Sequence, residues 1–235
     1  MDRKIDLSRS SEEKDITPRI IPNTKEDLIL QNFNDSMSVI SDKFNILEEI
    51  EQLEGELKND YSRFKEDTLR SQIVFAMSAL DFYMHEIVRY YTLEIFKGNR
   101  TKTKSYKNRK ILMEFVERAI KNPESIDWLE EWTREQEGKN TYMSSKKISG
   151  GISLISKKGG NLLKEIASEL GYPTVDSLKE QLDDIYDKRN VIAHQANKDS
   201  ANGNLESINK EYVEESIEFI KKLVNSMHQK LVQDV

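Results

Sequence analysis

Arg189, Asn190 and His194 fall within the run Asp-Lys-Arg-Asn-Val-Ile-Ala-His-Gln at residues 187–195. An arginine carries a permanent cation that grips a phosphate through two parallel hydrogen bonds. A histidine exchanges protons near neutral pH. The chain holds only three histidines, so one in this frame stands out. The pair is enough to cut an RNA backbone without a metal. The substrate's own 2′-hydroxyl attacks the adjacent phosphorus and leaves a 2′,3′-cyclic phosphate. The protein need only remove one proton, deliver another and steady the charge on the phosphoryl oxygens. His194 suits the proton work, worth about 10²–10⁴-fold. Arg189 suits the charge work, where a preorganised donor is worth about 3–4 kcal/mol. Asn190 can orient either the imidazole or the phosphate.

This run resembles the signature of the HEPN superfamily of helical nucleases and nucleotide-binding domains. That signature is an arginine, a polar residue that is often Asn, a few residues, then a histidine. Here four residues separate Arg189 from His194, and Ile192-Ala193-His194 matches the usual ending. The similarity covers about residues 62–233. It takes in an earlier segment, Ala79-Leu80-Asp81-Phe82-Tyr83-Met84-His85, which is similar to HEPN ribonucleases linked to prokaryotic RNA damage, stress or defence.

The resemblance implies an all-α helical bundle with a four-helix core. It implies a metal-independent endoribonuclease that needs no cofactor and acts on RNA. It further implies a homodimer with both motifs lining one cleft, and a polar residue, Asp81, turned from the earlier helix towards the motif. An enzyme of this kind is toxic to its own cell unless an antitoxin or other regulatory protein restrains it. A second reading is a non-catalytic HEPN module whose cleft binds RNA, a nucleotide or a protein partner. A third is a helical scaffold whose working surface is the helix over 25–58.

Helix geometry constrains the motif. Residues 189 and 194 diverge by about 140° around an ideal helix, whereas 190 and 194 share a face. One regular helix therefore does not aim both Arg189 and His194 at one phosphate. Either the helix is irregular there or two copies cooperate. A structural alternative pairs Arg189 with Asp184 or Glu180 and leaves His194 at the helix end. Asp81 and His85, four apart, read equally as a local hydrogen-bonded pair, and no third ligand with metal-site spacing accompanies them. His228 lies in a polar C-terminal segment and reads as solvated.

Composition sets the wider limits. Charged residues are 33% and apolar ones 37%, with nine Gly, four Pro and no Cys. Few breakers among many helix formers favour long helices. The absence of cysteine rules out disulfides and thiolate metal sites. No apolar run is long enough to span a membrane, and the first residues lack a signal-peptide core, so a cytoplasmic protein is expected. A net charge of −6 argues against a generic nucleic-acid coat. Lys97–Lys110, however, carries seven cations and no acid, and is either a local RNA contact or a solvated loop. Lys102, Lys104, Lys107 and Arg109 are its candidate RNA-binding residues, with Tyr106, Tyr90 or Tyr91 as a base-stacking partner.

The elements that must position these groups read as follows. Residues 1–24 form a tail. A long helix spans 25–60, capped by Asn23 or Thr24, with Phe33, Met37, Ile40, Phe44 and Leu47 as its apolar stripe. The HEPN-like domain spans 61–233. Its central helix, about 61–96, buries Ile73, Val74, Met77, Leu80, Met84, Ile87, Val88 and Tyr91 and ends at Gly98-Asn99. Helices follow near 111–119 and around Trp128 and Trp132. Residues 138–160, rich in Gly, Ser and Lys, read as a flexible insert containing a possible short strand. Helices return at about 160–170, 175–196 and 206–232. The sum is roughly seven helices and no sheet.

Overall fold

The computed structural model describes residues 24–57, 61–195 and 206–234. The expected N-terminal tail falls outside these apart from Thr24. Among the described residues there are nine helices and no strand, so the chain is all-α. They are α1 (Lys25–Leu57), α2 (Ser62–Lys97), α3 (Lys104–Lys107), α4 (Met113–Lys121), α5 (Asp127–Glu137), α6 (Ser145–Ile155), α7 (Gly160–Glu169), α8 (Val175–Gln195) and α9 (Lys210–Gln233). None is long and apolar enough to cross a membrane.

Helix α2 is the axis of the bundle. Ile73, Met77, Leu80, Met84, Ile87 and Val88 are fully buried along it, whereas Val74 is only half-buried. Gly98 ends it in the left-handed region at φ 86°, and its N–H turns back to Ile95 O. Helix α1 runs antiparallel to α2. Tyr91 O–H donates to Glu26 (2.7 Å), Phe33 meets Tyr83 edge-on (5.8 Å between centroids), and the Lys43 ammonium lies 4.1 Å above Phe75. Thr24 caps α1 by accepting from Asp27 N–H. The expected stripe packs as read: Phe33, Met37, Ile40 and Leu47 are buried, with Phe44 against the same core.

Two further helices complete the core. α9 runs alongside α2 in the same direction: Arg70 reaches Glu206 O (2.8 Å) at one end, and Arg100 reaches Leu231 O (2.8 Å) at the other. α8 runs the opposite way, since Lys188 reaches the same Glu206 (3.0 Å) while Asp183 lies further up, at the start of α6. α4 and α5 close over the far end of α2 in a small second cluster of Leu93, Phe115, Trp128, Leu129 and Trp132.

The segment 138–160 departs from the loop reading. Residues 145–155 form α6, which runs beside α2 and buries Ile148, Ile152 and Ile155, spaced four and three apart. Gly151 permits the approach: a Cβ there would stand 2.7 Å from the Tyr142 ring and 3.2 Å from both Met84 and Val88. Two carboxylates from neighbouring helices hold its N-terminus. Asp183 accepts from Ser145 N–H (2.8 Å) and Oγ–H (2.6 Å), and Asp81 accepts from Tyr142 N–H. Unpaired N–H groups and the positive end of the helix dipole make this a favourable place for two anions.

Candidate functional site

The motif occupies the last two turns of α8, and the helix is continuous from Val175 to Gln195. Leu178, Leu182 and Ile185 press one face into the core and so fix the rotation of everything that follows. Ile192, two turns on from Ile185, also packs against that core. Continuity removes the irregular-helix alternative: the backbone positions of Arg189 and His194 do diverge by about 140°.

Arg189 is half-buried, and its Nε is enclosed without a hydrogen-bond partner. Nη1 donates to Asn190 Oδ1 at 3.1 Å. That bond draws the guanidinium round the helix towards the face Asn190 shares with His194. Among the described residues Arg189 has no carboxylate partner. The pairing with Asp184 is not made, because Asp184 accepts instead from Tyr212 O–H (3.0 Å). His194 is exposed and makes no hydrogen bond among the described residues. The end of α8 therefore carries a cation with unspent donors, an amide bonded to it and, one turn beyond that amide, an exposed imidazole.

A neighbouring clasp, not apparent from the sequence, supports this end of the bundle. Arg70, buried on α2, binds Glu66 (2.6 Å), Asp67 (2.9 Å) and Glu206 O (2.8 Å), while Lys188, adjacent to Arg189, binds the side chain of Glu206. The i,i+3 and i,i+4 acids beside Arg70 were visible; its long-range bond to the start of the α9 segment was not. On the α9 flank of α8 lies a groove of about 400 Å³ with Asp184, Asp187, Lys188 and Val191 on its wall. Its two aspartates make it a poor phosphate cradle.

Asp81 is placed differently from the expectation. Its carboxylate is taken by Tyr142 N–H and by His85, whose Nε2 lies 3.6 Å away, and His85 in turn meets the Tyr142 ring edge-on at 5.0 Å. It holds the turn that leads into α6 and, among the described residues, has no bond to the motif. His228, expected in solvent, is buried, with Nδ1 3.2 Å from Tyr83 O–H and Nε2 enclosed without a partner. Burial lowers its pKa, against a weaker upward pull from Glu26 and Asp27. Among the described residues no group of three His, Asp or Glu side chains is arranged to hold a metal ion.

The basic segment does not join the motif within one copy. It follows the end of α2 at Gly98, whereas Arg70 and the Glu206 clasp mark the motif's end. α2 runs on from Arg70 to Lys97, about 40 Å, before the segment begins. Inside the segment, Arg100 stacks on Tyr91 (3.8 Å) and binds the Leu231 carbonyl. Arg109 binds the buried Glu137, which also accepts from Tyr142 O–H, and lies over Trp132 (5.1 Å). Thr103 caps the short α3 and donates to Leu154 O at the end of α6. Lys102, Lys104 and Lys107 are exposed and have no partner among the described residues. Of the four candidate RNA contacts three remain open to solvent, and Arg109 is committed to the fold.

Comparison with known proteins gives one finding. A family model described as RiboL-PSP-HEPN matches residues 8–233. No curated protein and no solved structure gives a significant match to the chain.

Proposed function

The chain belongs to the RiboL-PSP-HEPN family, and on that premise we propose that it is a metal-independent endoribonuclease acting as a homodimer, with Arg189, Asn190 and His194 at its active site. The carrying observation is the state of Arg189: a half-buried guanidinium with no carboxylate partner among the described residues, bonded to Asn190, which stands one turn from an exposed histidine. A structural arginine drawn out of solvent is commonly neutralised, as the more deeply buried Arg70 is by two acids and a carbonyl. Arg189 keeps its donors for a ligand that brings its own negative charge, and a phosphodiester is such a ligand.

In the reaction His194 takes the 2′-hydroxyl proton, or returns one to the leaving 5′-oxygen. Arg189 stabilises the phosphoryl oxygens as charge gathers on them. Two copies supply the second imidazole that separate acid and base roles require. They also offset the divergence of Arg189 and His194 on one helix. A role as a toxin or defence effector held in check by an antitoxin or another regulatory protein is consistent with unregulated RNA cleavage, and cytoplasmic residence fits an RNA substrate.

The test is incubation of the wild type, Arg189→Ala and His194→Ala with mixed RNA in EDTA. Cleavage by the wild type, lost in both variants, is the expected result. Binding of RNA without cleavage by any of the three assigns the chain instead to the non-catalytic HEPN modules. Mixing the two inactive variants gives a second reading. Random exchange yields half heterodimers, each with one Arg189 and one His194; about a quarter of wild-type activity should return if one of each, drawn from different copies, makes a site, and none if both imidazoles are needed.

A further inference from the structure

Helix α2 carries one face that no helix covers among the described residues, with only the Lys43 side chain of α1 lying over Phe75. Phe75 and Phe82 stand there 48% and 53% exposed, with Ser71 and Ser78 between and beside them at spacings of four, three and four. Phe64, 53% exposed, continues the line towards the start of the helix, and Val39 and Ile46 of α1 stand exposed alongside. A stripe of exposed phenylalanines on the central helix of a bundle is unusual for a surface bathed only in water.

We infer that this stripe is the surface through which two copies associate, α2 against α2, antiparallel about a two-fold axis passing between Phe75 and Ser78. The inference rests on the homodimer reading above and supplies the face it uses.

Size favours this register. An antiparallel two-fold at that point sets Phe75 opposite the partner's Ser78 and Phe82 opposite the partner's Ser71, so that both of these phenylalanines meet a small side chain. A parallel arrangement sets each Phe against itself and each Ser against itself, clashing at one level and leaving a void at the next. Charge tolerates the same register: Phe64 falls opposite the partner's Arg89, a cation–π pairing, and Asp67 falls opposite the partner's Glu86, each acid already paired within its own copy, with Arg70 and Arg89. Area is sufficient. The stripe from Phe64 to Arg89 is about 38 Å long, and with the edge of α1 it is about 20 Å wide. That is about 750 Å² per copy, close to the roughly 800 Å² per partner of a stable specific interface.

The placement of α8 gives the register a functional sense. α1 covers the Tyr83 side of α2, while the Asp81 side faces the start of α6 and, through Asp183, α8; the stripe lies between. With the axis running across the helices, both copies' α8 come to the same side of the contact. The two motif-bearing ends then lie on that one side, about 20 Å apart along α2 at the level of Arg70. The parallel alternative sends them to opposite sides of the dimer.

The chain has no cysteine, so introduced ones report cleanly. In Ser71→Cys/Phe82→Cys the two thiols are about 16 Å apart within one copy and adjacent only across the antiparallel interface. Oxidation of the full-length protein should give a covalent dimer on a non-reducing gel, while Ser71→Cys alone and Phe82→Cys alone should stay uncrosslinked. Crosslinking by either single variant means a parallel contact and overturns the proposal; so does failure of the double variant to crosslink, or a wild type that sediments as a monomer at tens of micromolar. Exchange of size gives the second arm. Phe75→Ser and Ser78→Phe should each weaken dimerisation about tenfold or more, and the double variant, with sizes swapped, should restore it. Unrestored association at unchanged melting temperature rejects the register. Neither arm uses RNA. A crosslinked dimer that never cleaves RNA overturns the nuclease reading alone, and an active protein that never dimerises overturns this one alone.

Discussion

At the scale of single residues, the motif was legible because its chemistry is local. Arg189, Asn190 and His194 lie within six positions on one helix, and their spacing fixes their relative directions. What the sequence concealed was which acids would be consumed elsewhere. Asp184 goes to Tyr212, and Asp81 to the start of a helix that composition disguised as a loop. The two carboxylates at α6 give a clear contrast with the motif. Asp81→Ala and Asp183→Ala should each lower stability by about 1–3 kcal/mol, the scale of hydrogen bonds to a charged group. RNA cleavage by the folded protein should persist in Asp81→Ala, whereas His194→Ala should lose about 10²–10⁴-fold. Denaturant titration beside a cleavage assay measures both. Arg189→Lys keeps the charge but loses the paired donors, so it should fall nearer to Arg189→Ala than to wild type.

His228 adds a pH dependence of stability at the same scale. Its burial disfavours the cation, so the unfolded chain binds the proton more tightly than the folded one. Stability contributed at this site is therefore complete above the ordinary histidine value of about 6.5 and is lost as pH falls through it towards the lower folded value. Melting temperature should drop between pH 7 and pH 5 more steeply in wild type than in His228→Gln. Equal slopes would mean that His228 is hydrated in solution.

Among elements, the long helices were readable from their apolar periodicity, because α1, α2 and α9 each bury a continuous stripe over many turns. α6 was not. Only eleven residues long, it carries two glycines and three serines, whose propensities oppose a helix. Its formation depends on packing against α2 and on carboxylates donated by two other helices, all of them tertiary facts. Its adjacent glycines should respond with opposite signs. Gly150 has nothing within 4 Å of an added Cβ, so Gly150→Ala should stabilise by about 0.5–1 kcal/mol through helix propensity. Gly151→Ala drives a methyl into the Tyr142 ring, Met84 and Val88 and should cost about 1–3 kcal/mol. Thermal denaturation of the two variants checks the pair, and equal effects would mean that α6 does not sit as described.

For the whole molecule, fold class was legible, since a chain with few breakers and several amphipathic stretches has little choice but a bundle. The relation between its two charged regions was not, because direction along the bundle appears only once the helices are assembled. Lys102, Lys104 and Lys107 lie at the opposite end of α2 from Arg189. Neutralising these lysines should weaken binding of long RNA and flatten its salt dependence by about 0.7 log units of slope per lost single-strand phosphate contact. Cleavage of a short oligonucleotide confined to the motif should be unaffected. An unchanged slope with long RNA would leave the segment a solvated loop.

α6 ties these regions into one rigid frame. It is pinned at its start to Asp81 and Asp183, sealed in the middle by Gly151, and joined at its end to Thr103 beside the lysines. On the proposed reading, a stiff rod with a cutting edge at one end and an RNA handle at the other works as a gauge. Strands too short to reach from edge to handle feel only one of them. Affinity should therefore climb in a step, not a slope, as the oligonucleotide lengthens, and the position of that step is set by the protein's own dimensions.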